Sequence, residues 1–464
     1  MESQESVLAS LPDAESRPWE ALAQLLQEGD PQVLAEFLRS HSPAQDALAL
    51  SRLTSAERTK VLELLAAADA ADLIGVLPEA QAARVIEKLK PDTAAAIVHE
   101  LASDEQADVL GDLSDQQAAA ILEVLPPDEA DAVREFSAYP DDVAGGLMVR
   151  EMLRFTPSMT VKEVITELNE NADVYNDLDV RYAYVCESAG RLVGVLPTQN
   201  LLFVKRSAIL EDLMIRDPLS VRDNMPLEEL AEFFDAHRFL GAPVVDERGI
   251  LKGVLHRESV RYEEVRHAES DYLKSQGIVG GEELRSMPVW LRAKRRLSWL
   301  SVNIVLNIGA AAVIASFQET LQAVIALAVF LPIISDMSGC SGNQAVAVSM
   351  RELSLGLVRP SEMLRVWMKE VSVGLINGAV LGALVAGVAL VYDGNFYLGL
   401  VVGAALFANT IVAVSIGGVV PLLLKRLGFD PAVASGPLLT TVTDMCGFFL
   451  VLGLATVLLS RLTG

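Results

Sequence analysis

Leucine falls at positions 53, 65, 77, 89, 101, 113 and 125, an unbroken spacing of twelve. A second apolar series runs through Leu73, Val85, Ile97, Val109, Ile121 and Val133. Each unit, such as PEAQAARVIEKL or SDQQAAAILEVL, opens on Pro, Ser or Asp suited to an N-cap or first turn, then continues as an Ala-rich helix to its leucine. A unit of this size makes one short helix and a turn and cannot bury its own face. It must stack on its neighbours, so residues 21–138 are expected to form an all-α helical-repeat domain. Ala83, Ala95, Ala107 and Ala119 let those helices approach closely, and residues 1–20 are expected to be disordered. Over 143–262 short β-branched runs alternate with amphipathic helices, and a polar, helix-prone connecting stretch fills 263–296. Beyond it lie apolar runs at roughly 299–317, 323–348, 371–392, 397–424 and 433–460, each near the length a bilayer requires. They predict a five-span all-α transmembrane domain over 297–464.

The middle region contains one layout twice. LMVREMLRFTPSMTVKEVITEL precedes RYAYVCESAGRLVGVLPTQNLL, and LMIRDPLSVRDNMPLEELAEFF precedes GAPVVDERGILKGVLHRESV. In each copy a strand leads to a helix, a hydrophobic strand, a Gly-containing hairpin turn and the strand RLVGVL or ILKGVL. This α/β layout resembles a tandem pair of CBS domains. The resemblance implies a module that senses adenine nucleotides or ions and passes the result to an attached domain, or one that only dimerises.

Composition divides the chain. It is 51% hydrophobic yet has a net charge of -25, and from Arg296 to the end eight acidic and eight basic side chains cancel. The whole charge therefore belongs to the first 295 residues. A polyanionic part argues against nucleic acid as a partner, and favours solubility or the binding of cations. Cys186, Cys340 and Cys446 are odd in number and widely spaced, so neither a disulfide framework nor a zinc site is suggested. The N-terminus lacks the basic region and apolar run of a secretory signal. Arg292, Lys294, Arg295 and Arg296 precede the first span; Arg351, Arg359, Arg365 and Lys369 separate the second and third; Lys425 and Arg426 follow the fourth. The opposite loops, QETLQ and DGN, carry no basic residue. A multi-pass protein of the cell (inner) membrane is expected, its N-terminal domains cytoplasmic and its C-terminus outside.

The absence of HExxH and of GxxxxGK[ST] leaves no basis for an intramembrane zinc protease or for ATP-driven pumping, so no enzyme activity is expected. Flux would follow an electrochemical gradient, worth about 2.3 kcal/mol per charge per 100 mV.

Two carboxylates lie at membrane depth, Asp444 in TTVTDMCGFF and Asp336 in LPIISDMSGCSGNQ, and no Lys or Arg sits inside a span to pair with them. A charge there costs several kcal/mol unless it faces a polar cavity, which marks both as functional. Ser338, Gly339, Ser341, Gly342, Asn343 and Gln344 surround Asp336; Asn409 and Ser415 sit in the fourth span; Thr440, Thr441 and Thr443 flank Asp444. Small residues permit close helix contact, and amides and hydroxyls can also bond the water shell of an ion. Pro332, Pro421 and Pro437 would free backbone carbonyls, tolerated where a cavity is lined. Mg2+ dehydrates reluctantly and is held by one or two carboxylates plus retained waters, which suits this set better than Ca2+ chemistry does. The candidate cation-contacting residues are Asp444, Asp336, Asn343, Gln344, Asn409 and Thr441.

SGNQAVAVSMREL and RLGFDPAVASGPLLTTVTD, with the order of repeat domain, CBS pair, connecting helix and five spans, resemble the MgtE family of magnesium channels and transporters over nearly the whole chain. The resemblance implies a homodimer in the bilayer with one pore on its axis, lined by spans two and five, with Asp444 as the ion-selecting carboxylate. It also implies that cytoplasmic Mg2+ binds acidic residues of the repeats, the CBS pair and a plug-type connecting helix, and closes the pore. Two departures stand out. The family usually has Gly, Gly, Asn where this chain has Ser338, Gly339 and Cys340, and a small neutral residue in place of Asp336. In the second CBS copy, sensing carboxylates are replaced by Arg238, Ser259 and Tyr262, while Glu258, Glu263, Glu264, Glu269 and Asp271 remain as candidate regulatory metal ligands. Transport of another divalent cation, Mn2+ or Co2+, is the first alternative to Mg2+ transport; a membrane-anchored CBS nucleotide sensor is the second.

Overall fold

Proline at the first helical position opens Pro18–Glu28, Pro31–Arg39, Pro43–Arg52, Pro91–Glu100 and Pro127–Phe136, where its fixed φ suits the first turn and its missing N–H is no loss. At Ser55–Leu64 the start is set by a reciprocal cap, in which the Thr54 N–H donates to Glu57 at 2.7 Å. The computed structural model describes residues 17–175, 181–285 and 287–463; the side chains of 173, 174, 433–435, 437 and 438 lie outside that description. The expected disordered tail falls outside it up to residue 16, but Pro18 to Glu20 are already helical.

The chain divides into two compact units, residues 1–265 and 266–464. The first begins with ten short helices among the described residues, Pro18–Glu28 to Pro127–Phe136. Both apolar series of the twelve-residue repeat are buried in one continuous core, apart from half-buried Leu113. The repeat leucine does not lie inside the helix: Leu53, Leu65 and Leu101 sit at its C-terminal cap in extended conformation and are buried. Ala83, Ala95 and Ala107 are buried at helix contacts, whereas Ala119 is exposed.

The two repeated layouts form two similar sheets. In one, β1 (Leu153–Phe155) runs parallel to β2 (Tyr182–Cys186), β3 (Leu192–Pro197) is antiparallel to β2, and β4 (Ile215–Arg216) pairs at the far edge of β3. In the other, β5 (Val221–Arg222) is parallel to β6 (Gly241–Val245), and β7 (Leu251–His256) is antiparallel to it. Helices α1 (Val161–Glu170) and α2 (Leu227–Ala236) bury Val161, Val164, Leu230 and Phe234 in the two cores. Gly190 and Gly249 hold the hairpin turns at φ +82° and +77°, a region that disfavours a side chain. The two turns bond each other reciprocally: Leu192 N–H to the Gly249 carbonyl and Leu251 N–H to the Gly190 carbonyl, both at 3.0 Å. The copies are thus related by a local two-fold.

Helix α3 (Arg257–Ser275) leaves the second sheet. The connecting helix expected over 263–296 ends at Ser275. Gly277, Gly280 and Gly281, all at positive φ, break it, and a new helix starts after Pro288. The second unit is built on α4 (Val289–Ser316), α5 (Leu327–Ser354), α6 (Met363–Asp393), α7 (Phe396–Arg426) and α8 (Pro431–Val457). Four of these regions are long and apolar enough among the described residues to cross a membrane; α5, in the place of the expected second span, is not one of them. It has the length, at 28 residues, but its Ser-, Asn- and Gln-rich middle lowers its apolar content. Helix α7 is the most enclosed of the four, and Leu327, Phe330, Ile334, Val402, Leu406, Val451 and Leu452 form the core of α5, α7 and α8.

Candidate functional site

Helix α5 has two faces. Ile334, Ser338, Ser341, Gly342, Ala345 and Ser349 recur at helical spacing and are buried, while Asp336, Cys340, Asn343, Gln344, Ala347 and Val348 are exposed. On the buried side Ser338 donates to the Ile334 carbonyl at 2.7 Å, and Ser349 reaches across to the Gly418 carbonyl of α7 at 3.0 Å.

Asp444 lies midway along α8, 8% exposed, and accepts a hydrogen bond from the Ser335 hydroxyl of α5. No ion pair reaches Asp444 or Asp336 among the described residues. Because Ser335 precedes Asp336, both intramembrane carboxylates stand at one level of the bundle, Asp444 buried beside α5 and Asp336 on its open face. Thr441 is half-buried on α8, and Thr443 donates to the Thr440 carbonyl at 3.0 Å. Asn343 and Gln344 continue the open face of α5. Asn409 does not join them: it is fully buried in α7, donating to the Ser338 hydroxyl oxygen at 2.7 Å and the Thr443 carbonyl at 3.0 Å. Ser335 was not singled out by the sequence; one serine among several in α5, it carried no signal beyond its place before Asp336.

The candidate regulatory residues spread along α3. Glu263 is buried, Asp271 half-buried, and Glu258, Glu264 and Glu269 exposed. From Glu258 to Asp271 the helix rises about 20 Å, too far for one ion. Among the described residues no three His, Cys, Asp or Glu side chains stand as a metal-binding group. Carboxylates do crowd electrostatically in the first unit. Burial, reinforced by Asp141, Asp104, Glu263 and Asp112, pushes Asp108 up to about 7; burial, then Asp141 and Asp142, does the same to Glu263. Asp104 and Glu105 are also raised, mainly by burial. Such a cluster would gain from any cation that neutralises it.

In the second unit Lys274 at the end of α3 pairs with Asp430 at 3.1 Å, and Asp430 in turn caps α8 by accepting from the Ala432 N–H at 2.8 Å. Between the two sheets of the first unit, Glu151, Met152, Arg181, Tyr182, Tyr184, Leu240, Gly241, Val254 and His256 line a cleft. Aromatic faces, a guanidinium and an imidazole in one cleft suit a base and an anion.

Comparison with known proteins agrees with this layout. The MgtE family, described as divalent cation transporter, matches residues 331–454; the MgtE intracellular N domain matches 41–142; CBS domains match 143–206 and 210–265. The magnesium transporter MgtE of Bacillus subtilis (strain 168) is 31% identical over 332 residues, 71% of this chain and 73% of that protein. Its namesake in Thermus thermophilus is 33% identical over 333 residues, 70% of this chain and 72% of that protein. Among solved structures, the cytosolic domain of the Mg2+ channel MgtE in complex with ATP is 30% identical, with a TM-score of 0.48, covering 52% of this chain and 98% of that one.

Proposed function

The chain belongs to the MgtE family of divalent cation transporters, and from that premise we propose that it carries Mg2+ down its electrochemical gradient through the membrane, under the control of its cytoplasmic domains. The observation that carries this reading is Asp444: an acidic side chain in the middle of an apolar helix, with a serine hydroxyl and, among the described residues, no cationic partner. A carboxylate so placed is costly unless cations compensate it in use. The open face of α5 supports the reading independently. Asp336, Asn343 and Gln344 would be unfavourable against lipid, and a water-filled path satisfies them. In this path Asp444 and Asp336 attract the ion, and Asn343, Gln344 and Thr441 bond its retained waters.

A homodimer with the open face of α5 turned inward hides these polar groups from lipid. The basic clusters orient the first unit toward the cytoplasm. There Mg2+ neutralises the crowded carboxylates around Asp108 and Glu263, favouring the closed arrangement, and an adenine nucleotide occupies the cleft lined by Tyr182, Tyr184, Arg181 and His256.

One observation favours Mn2+ or Co2+ as a second reading. Asp336 and Cys340 lie four residues apart on the same exposed face, pairing a carboxylate with a softer sulfur ligand. Proteoliposomes containing the full-length protein, loaded with an ion-sensitive dye, distinguish the two. Mg2+ influx persisting in excess Ca2+, with Mn2+ or Co2+ competing no better than equimolar Mg2+, supports magnesium. Influx of Mn2+ or Co2+ in preference to Mg2+ supports the second reading, and influx of none removes both.

A further inference from the structure

Asn409 was expected among the cation-contacting residues, but its surroundings argue for another role. The side chain is fully buried near the middle of α7. One amide nitrogen serves two other helices, donating to the Ser338 hydroxyl oxygen of α5 at 2.7 Å and to the Thr443 backbone carbonyl of α8 at 3.0 Å. Each acceptor is one step from Asp444. Thr443 is its chain neighbour, and Ser338 lies one turn from Ser335, whose hydroxyl bonds the Asp444 carboxylate. The Ser338 proton is already committed to the Ile334 carbonyl, so its oxygen is free to accept.

Two more details fix the amide in this orientation. A Cβ at Gly447 of α8 would meet the Asn409 nitrogen at 2.6 Å, so the amide occupies the notch that the glycine leaves. Its Oδ1 is buried with no hydrogen-bond partner among the described residues. A flipped amide would set this oxygen against the Thr443 carbonyl, acceptor facing acceptor. The side chain thus satisfies its two donors and leaves its acceptor unmet, at a cost a buried group bears only where the donors matter.

We propose that Asn409 is a positioning residue, braced between α5 and α8, which fixes the axial register of Asp444 against Ser335 and so the ion preference of the path without touching the ion. The inference rests on the reading that Asp444 handles the transported cation. Mg2+ demands near-ideal octahedral geometry, so a carboxylate displaced by a fraction of a turn discriminates poorly.

The test uses the full-length protein in proteoliposomes, measuring Mg2+ uptake against concentration and with Ca2+ as competitor. Asn409→Leu keeps the branched shape, at a larger volume, and removes both donors. Asn409→Asp also removes the donors but supplies a better ion ligand. Gly447→Ala displaces the amide without deleting it, and stands in for either should it fail to elute as folded protein. The brace predicts that all three raise the apparent KM for Mg2+ about three- to tenfold. It also predicts that they narrow the Mg2+ over Ca2+ preference, with a smaller change in saturating rate. Wild-type KM and preference in Asn409→Leu and Gly447→Ala, or a lowered KM in Asn409→Asp, would overturn it. Asp444→Asn, assayed alongside, separates the two layers. If that variant behaves as wild type, the ion-path reading itself fails; if it is impaired while the Asn409 and Gly447 variants are normal, only the brace fails.

Discussion

Asp108 and Glu263 are the residues at which the proposed regulatory cation would compete most directly with protons. Both are raised to about 7, first by burial and then by neighbouring carboxylates, so the folded form holds their protons more tightly than the unfolded chain does. Their contribution to stability is therefore complete below the usual carboxylate range and is lost as pH rises through about 7. With divalent ions chelated, amide exchange in Ser103–Gly111 and the start of α3, corrected for intrinsic rate, should accelerate between about pH 5.5 and about 8, and added Mg2+ should reverse it. Exchange indifferent to pH and to Mg2+ would remove the cluster from any regulatory scheme. Asp444 stands out in the sequence because a charge in an apolar run is costly and no Lys or Arg sits inside a span to pair with it. Ser335 and the bracing geometry of Asn409 do not, because a serine or amide in a helix shows its purpose only through the partner that the packing angle brings to it.

At the scale of the element, α5 is where pattern reading met its limit. Its polar residues announced a special helix, yet they belong to two opposed faces: Ser338, Ser341 and Ser349 serve helix contact, and Asp336, Cys340 and Asn343 stand open. If the open face lines a water path, a membrane-impermeant cationic thiol reagent should modify Cys340 and block uptake, Mg2+ should slow the reaction, and Cys340→Ala should abolish the block. Cys186 is buried and should not respond. Inert Cys340 in transporting protein would place that face against lipid or a dry interface. In the connecting segment the helix expected from the sequence holds as far as Ser275, and the glycines at 277, 280 and 281 break it. The Lys274–Asp430 pair that follows is partly exposed, 23% and 40%, so it is worth less than about 1 kcal/mol. Lys274→Ala should accordingly shift the thermal midpoint in detergent by no more than about 3 °C. A larger drop would mean that this contact holds more of the unit than its exposure suggests.

Across the whole molecule, the partition of charge told most. A net charge of -25 confined to the first 295 residues, beside a neutral apolar remainder, separated a strongly acidic part from a membrane part before any element was assigned. The twelve-residue period and the twice-written strand layout carried the fold of the first unit, because both repeats are enforced by burial of the same positions in nearly every copy. The residues of the proposed pathway were legible only as a collection, since which face each occupies depends on how five helices pack. If the Asp444 carboxylate of α8 handles the transported Mg2+, its removal abolishes uptake. The most direct measurement is growth of a magnesium-requiring host whose own uptake is deleted, complemented with the wild type or with Asp444→Ala at matched membrane abundance. Rescue by the wild type and none by the variant is expected; equal rescue by both would rule the carboxylate out.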